Sequence, residues 1–227
     1  MIKGKTTAAL FDLDGTLVDS LQDIAASMNE VLADRGMPVH PTDAYRIFVG
    51  DGMEKLVRRC LPSELDASSA LCSDMVQDMK TTYATHWKNT TAPYPGIREM
   101  LEALQKAGLR IGILSNKPQA FTVETVEYIF PEVDFSIVRG AREGIPIKPA
   151  PDGVLDILSV WGVKPEEVLY VGDTNTDMQT GKNSGMPTVG VTWGFRDRKE
   201  LEDCGADWVV DTPSDILKIV LSIPNSD

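Results

Sequence analysis

The stretch Thr7-Ala8-Ala9-Leu10-Phe11-Asp12-Leu13-Asp14-Gly15-Thr16 decides how this chain folds. A short apolar run, with no polar face, is what a strand buried on both sides of a sheet requires, and it predicts a strand over Thr7–Leu13. The run ends in two carboxylates spaced by two. In extended chain, residues i and i+2 point the same way, so Asp12 and Asp14 are expected to face one small volume. Gly15 then lets the backbone turn sharply or approach a ligand closely. Adjacent carboxylates repel each other unless a cation sits between them or one carries a proton. The plainer reading is a polar strand end closed by an Asp-Gly turn.

Outward from this stretch, further short apolar runs predict strands at Arg110–Leu114, Phe135–Val138, Val168–Val171, Thr188–Val191 and Trp208–Val210. Helical patterns tend to separate them. Ile97, Met100, Leu101 and Leu104 recur at helical spacing before Gly108, as do Val154, Ile157, Leu158 and Trp161 before Gly162, and Ile216–Ile223 reads as a closing helix. Strands alternating with helices predict an α/β fold, a mostly parallel sheet with helices on both faces and right-handed crossovers.

One interval breaks the rhythm. From Val18 to Pro93 the pattern is all helical and far too long for a single crossover. Leu21, Ile24, Ala25, Met28, Val31 and Leu32 form one apolar face, with Ser20 as N-cap and Asp23 in the first turn. Met53, Leu56, Val57 and Cys60 form a second, and Val76, Met79 and Tyr83 a third. The expectation is a small helical domain over residues 18–90, inserted into a core of residues 1–17 and 91–227. Its hinges fall near Leu17–Ser20 and Thr90–Pro95. The tail after Pro224 is expected to fray.

The charge sets limits on partners. With 34 acidic against 22 basic residues, the net charge of −12 disfavours nucleic acid and anionic membranes. An anionic substrate would need a local cation or metal. Cys60, Cys72 and Cys204 have no paired spacing, which fits a reducing compartment. Met1–Lys5 leads straight into the first strand without a signal-peptide pattern, and no apolar run reaches the ~20 residues a bilayer demands. A cytoplasmic location is expected.

Three more elements carry chemistry. Gly172-Asp173 follows the strand Val168–Val171, with Asp177 four residues on. Asp173 is either a loop residue or the completion of an oxygen cage for Mg²⁺; Asp177 is either a helix-start acid or a group orienting that cage from its edge. Ser115-Asn116 follows the strand Ile111–Leu114, where a hydroxyl and backbone N–H groups at a strand-to-helix turn either hold phosphoryl oxygens or cap the helix. Lys148 lies in Lys148-Pro149-Ala150-Pro151, whose prolines restrict the backbone and could aim the lysine inward. Two other motifs fail. A calcium loop starting at Asp12 needs glycine and glutamate where Leu17 and Asp23 stand, and a phosphate loop around Gly181-Lys182 lacks glycine at Thr176 and a hydroxyl at Asn183. What unites the remaining elements is position: Asp12, Ser115, Lys148 and Asp173 all lie beyond the carboxyl ends of predicted strands, where open α/β sheets bind ligands.

In order and spacing these four elements resemble the motifs of the haloacid dehalogenase superfamily. Asp12-Leu-Asp14-Gly-Thr16 is similar to its first, Ser115 to its second, Lys148 to its third and Gly172-Asp173-Thr-Asn-Thr-Asp177 to its fourth. Leu17-Val18-Asp19-Ser20, Val49-Gly50-Asp51-Gly52 and Lys148-Pro149-Ala150-Pro151 bring the chain nearest to the phosphoglycolate phosphatases. The Gly-Asp-Gly stretch departs from the Gly-Asn-Gly type of those enzymes. The resemblance implies a doubly wound, Rossmann-like core with an α-helical cap. It implies hydrolysis of a small phosphorylated metabolite by an enzyme acting as a monomer or homodimer. Asp12 would be the nucleophile, forming an aspartyl phosphate. Mg²⁺ would be held by the Asp12 carboxylate, the Asp14 carbonyl and Asp173, with Asp177 behind them. Lys148 would supply a fixed charge, Ser115 and Asn116 hydrogen bonds, and Thr16 a further donor or brace. Asp14 would be the general acid, kept protonated by apolar or anionic surroundings. A second anionic group on the substrate calls for a cap donor: the backbone around Gly50, then Arg46, Lys55 and Arg58. His40 and His86 receive no role, Trp161, Trp193 and Trp208 are expected to pack, and Trp193-Gly194-Phe195-Arg196 is placed near the site. Two rival readings remain: a sugar phosphomutase on the same core, and a non-catalytic binding protein.

Overall fold

The computed structural model describes residues 6–62, 65 and 69–222. Its elements, in chain order, begin with strands β1 (Ala8–Phe11) and β2 (Val18–Asp19), followed by helices α1 (Leu21–Asp34), α2 (Tyr45–Phe48), α3 (Met53–Cys60) and α4 (Ser69–His86). Next come β3 (Ala92–Pro93), α5 (Ile97–Lys106), β4 (Arg110–Pro118), α6 (Gln119–Ile129), β5 (Ile137–Ala141) and α7 (Asp152–Trp161). The chain closes with β6 (Val168–Gly172), α8 (Asn175–Ser184), β7 (Thr188–Val191), α9 (Arg198–Asp203), β8 (Trp208–Val210) and α10 (Pro213–Ser222). The expected N-terminal lead-in, Ile223 of the closing helix and the tail after Pro224 lie outside the described residues.

Six strands form one sheet in the order β5-β4-β1-β6-β7-β8, and every pairing in it is parallel. The chain winds outward from β1 to one edge, then returns to its other side and winds to the opposite edge. That is the doubly wound order of a Rossmann-like sheet, and the direction reverses beside β1. Both faces are covered, which explains the unbroken apolar strands. Along β1, Ala9 and Phe11 pack with Ile97, Leu101, Val126 and Ile216 on one face; Ala8 and Leu10 pack with Val154, Ile157 and Trp161 on the other.

The interval between β1 and α5 carries α1 to α4, which bury a separate apolar cluster containing Met28, Leu32, Tyr45, Val57, Met75, Met79 and Tyr83. The inward face of α4 includes Cys72 and Met75 beside Met79 and Tyr83, and Val76 is only partly buried, so the face is rotated from the one expected. At the entry and exit, β2 and β3 pair antiparallel, Val18 with Pro93 and Asp19 with Ala92. Asp23 reinforces this junction. Its carboxylate accepts hydrogen bonds from the backbone N–H and the hydroxyl of both Thr90 and Thr91, at 2.7–3.1 Å. Burial alone would raise the Asp23 pKa; these donors outweigh it and hold the carboxyl below its ordinary value.

Several boundaries differ from expectation. Strand β1 stops at Phe11, because Leu13 turns back to accept hydrogen bonds from Leu17 and Val18. Strand β5 begins two residues later than predicted and continues through the unremarkable Arg139-Gly140-Ala141. Strand β4 runs on through Ser115, Asn116 and Lys117 to Pro118, held by a second pairing of Pro118 with Ala141 after a register shift. The polar Ser-Asn-Lys triplet is therefore strand rather than a strand-to-helix turn.

Candidate active site

The site lies at the carboxyl edge of the sheet, beside the reversal at β1. Asp12 follows β1 directly, Asp173 follows β6, Ser115 belongs to the extended end of β4, and Lys148 precedes α7. All four are buried.

Lys148 Nζ lies 2.8 Å from Asp12 Oδ1 and 2.7 Å from Asp177 Oδ1. Lys148 is the one cation that faces the buried Asp12 Oδ1 among the described residues. Asp177 also accepts from the backbone N–H and hydroxyl of Thr174, closing a capping box at the start of α8. The helix-start reading and the orienting reading of Asp177 therefore describe one residue. Asp173 is fixed by the Thr16 hydroxyl at 2.9 Å and the Phe195 N–H at 2.8 Å. Two glycines make room for it: a Cβ at Gly15, whose φ is +88°, or at Gly194 would overlap the Asp173 carboxylate.

Burial, reinforced by neighbouring carboxylates, pushes the Asp12 carboxyl up to about 7 despite Lys148, and pushes Asp173 well above the carboxylate range. Burial acts the opposite way on Lys148, but facing both Asp12 and Asp177 it keeps its proton firmly. The cluster is short of positive charge. Asp12, Asp173 and Asp177 each offer an oxygen, all within 4.8 Å of one another. An all-oxygen, anionic donor set facing a single lysine fits a hard divalent cation. Because Asp177 is already engaged by Lys148 and Thr174, Asp12 and Asp173 are the more available pair.

Asp14 is not surrounded as expected. Besides Asp12 and the apolar cavity walls it meets a cation: its Oδ1 accepts from Ser20 Oγ at 2.6 Å and from Lys117 Nζ at 2.8 Å. Ser20 thus makes no side-chain cap on α1 and reaches into the site. Asn116 is also redirected. Its amide accepts from Lys148 N–H at 2.9 Å and donates to the carbonyls of Lys148 and Gly50. It clamps the lysine loop and the helical segment together.

Asp12, Asp14, Ser115, Asn116 and Lys117 share a cavity of about 70 Å³ with apolar walls from Ile24, Val49, Met53, Leu56, Met79 and Tyr83. Gly50 and Gly52 line it, but Arg46, Lys55 and Arg58 do not. Arg46 donates to the Gly194 carbonyl, Lys55 lies 3.7 Å from Asp51, and Arg58 pairs with Glu54. The Trp193–Arg196 segment does flank the site. The Trp193 indole donates to the Thr16 carbonyl, and Arg196 donates to the carbonyls of Arg46 and Val49. Lys117 and Asp51 were not read from the sequence. Asp51 ties the two parts of the chain together by accepting from Thr176 Oγ1 at 2.8 Å while pairing with Arg59.

A central parallel sheet whose carboxyl edge holds paired aspartates, a buried lysine and a third aspartate defines a class. The chain belongs to the haloacid dehalogenase-like hydrolases, whose family pattern it matches over residues 9–191. Within that family it is phosphoglycolate phosphatase-like. Over 215 residues it is 30% identical to a phosphoglycolate phosphatase of Mannheimia succiniciproducens, spanning 92% of this chain and 96% of that one. A phosphoglycolate phosphatase of Pseudomonas putida is 32% identical over 89% of this chain and 75% of its own. Among solved structures, a predicted phosphoglycolate phosphatase from Haemophilus somnus superposes with a TM-score of 0.87 at 28% identity, covering 96% of this chain and 99% of that chain. Among the described residues, no helix is long and apolar enough to cross a membrane.

Proposed function

We propose that this protein hydrolyses a small phosphate monoester, with phosphoglycolate the first candidate, in a Mg²⁺-dependent reaction through a phosphorylated Asp12. The observation that carries the reading is the meeting of Asp12, Lys148 and Asp173 beside a small cavity. In the first step an Asp12 oxygen bonds to phosphorus as the ester P–O bond breaks, and Asp14 passes a proton to the leaving alkoxide. In the second, Asp14 takes a proton from water, the water oxygen bonds to phosphorus, and the Asp12–phosphorus bond breaks. Bound Mg²⁺, held by Asp12, Asp173 and the Asp14 carbonyl, supplies charge neutralisation at the transferring group.

The surrounding residues suit these roles. Lys148, fixed by Asp177 and by Asn116 at its backbone, holds a positive charge against Asp12. Thr16 braces Asp173. Ser115 Oγ accepts from the Lys117 N–H, which leaves its own hydroxyl proton for a phosphoryl oxygen. We take residues 1–17 and 91–227 as the catalytic core and 18–90 as a cap whose closure excludes water. No observation of the site favours the mutase. The cytoplasm, and a monomer or homodimer, complete the proposal.

The test is phosphate release from phosphoglycolate by the purified protein in Mg²⁺, compared with nucleotides, pyrophosphate and sugar phosphates. Preferred turnover of phosphoglycolate, abolished by chelation and reduced at least about a thousandfold in Asp12→Asn, is expected. Isomerised sugar phosphate without phosphate release, or activity indifferent to chelator, would overturn the reading.

A further inference from the structure

No role was read for Lys117 from the sequence, since nothing in its position there distinguishes it from a surface lysine. Its side chain is buried at the end of β4. The ammonium donates to Asp14 Oδ1 at 2.8 Å and to the Tyr83 hydroxyl at 2.6 Å. An ammonium has three N–H donors, and the third has no acceptor among the described residues. A buried, unpaired donor is costly unless something meets it. Among the described residues, Lys117 is also the one cationic side chain lining the cavity, whose other walls are largely apolar. Lys148, by contrast, is committed to Asp12 and Asp177.

We infer that Lys117 is the specificity-determining cation of this site, and that its free N–H receives a carboxylate carried on the leaving group of a short phosphate ester. The inference rests on the reading above for where the phosphoryl group lies. The position is suited to the task. Asp12 is taken to mark the phosphoryl end of the cavity, and Asp14, which lines the same cavity, accepts directly from Lys117. A leaving group must pass Asp14 to be protonated, so a charge just beyond its oxygen meets Lys117. The apolar walls from Met53, Leu56 and Met79 offer no competing donor and lower the local polarity, which strengthens the pairing. Tyr83 adds a condition. It comes from α4 in the helical segment, whereas Lys117 comes from the sheet, so the pair forms only when the two parts are closed together. Selection for the carboxylate is thereby tied to closure. The arginine and lysine side chains of the segment, which point to other partners, are not needed.

The test measures binding rather than turnover. Calorimetric titration in Mg²⁺ would compare two phosphonates that cannot be hydrolysed: phosphonopropionate, which ends in a carboxylate, and propylphosphonate, which ends in a methyl group. The wild type should prefer the carboxylate about ten- to a hundredfold, the size of one charge-assisted hydrogen bond. Lys117→Met should bring the two within about threefold, and Tyr83→Phe should lower the preference part of the way. If Lys117→Met does not fold, as judged by circular dichroism, the wild-type ratio and Tyr83→Phe decide. A wild type without preference, a Lys117→Met protein that keeps it, or a Tyr83→Phe protein that keeps it undiminished overturns the inference. Selective binding without phosphate release from phosphoglycolate would refute the proposed reaction and leave the role of Lys117 standing. Hydrolysis of phosphoglycolate without selective binding would do the reverse.

Discussion

Asp12 carries two demands in one carboxylate, since it is buried among other carboxylates and yet faces a single cation, Lys148. Its folded-state pKa of about 7 lies above the unfolded value, so the metal-free fold binds more protons than the unfolded chain. The stability this confers is complete below about pH 4 and is lost as pH rises through about 7. A divalent ion in the cluster should cancel the loss. Thermal melts should show Mg²⁺ raising Tm more at pH 8 than at pH 5.5; equal shifts at both would count against the carboxylate cluster as the cation site. At this scale, the sequence showed Asp12, Asp14, Ser115 and Asp173 because each sits beside an apolar run that announces a strand end, and Lys148 because prolines frame it. It hid Lys117, whose neighbours Asn116 and Pro118 look like an ordinary helix start. It also hid the actual partners of Asn116, because a side-chain amide reaching another loop leaves no periodic trace.

The elements of the sheet were legible because burial on two faces forces unbroken apolar runs, and that signal does not depend on neighbours. The exceptions follow the same physics. Helix α6 buries Thr122 and Thr125 beside Val126 and Ile129, so its inner face is too polar to register as periodic. The Thr122 hydroxyl answers the carbonyls of Lys117 and Pro118, locking the polar end of β4 against that helix. Such a strand extension is set by tertiary pairing and not by composition. The junction of β2 and β3 is another case, held chiefly by Asp23. Asp23→Ala should destabilise the protein by about 2–4 kcal/mol, since four donors lose a charged acceptor. Urea unfolding would check this. Because the Asp23 carboxyl is held below its ordinary value, its contribution is present above the unfolded pKa and lost as pH falls through the folded one. A neutral outcome at pH 7 would show that the threonines find water instead.

Across the whole molecule, an acidic chain manages an anionic ligand by concentrating its few buried cations at one sheet edge. The helical segment is seated there by Asp51 on Thr176, Asn116 on Gly50, and Arg196 on the carbonyls of Arg46 and Val49. Asp51→Ala should loosen this seat: amide exchange over Val49–Met53 should speed up, and kcat/KM should fall by roughly tenfold or more. Unchanged exchange would mean that closure does not depend on Asp51. The helical run between β1 and α5 was legible from its length and pattern, whereas its polar contacts with the sheet edge were not, because the groups that make them are scattered in sequence. The central claim, covalent phosphorylation of Asp12, has one direct measurement. Rapid acid quench of the Mg²⁺-loaded enzyme with phosphoglycolate, followed by peptide mass spectrometry, should find a phosphoryl group on Asp12 that neutral hydroxylamine removes. Steady turnover with no phosphorylated Asp12, or with the label on another residue, would contradict the account.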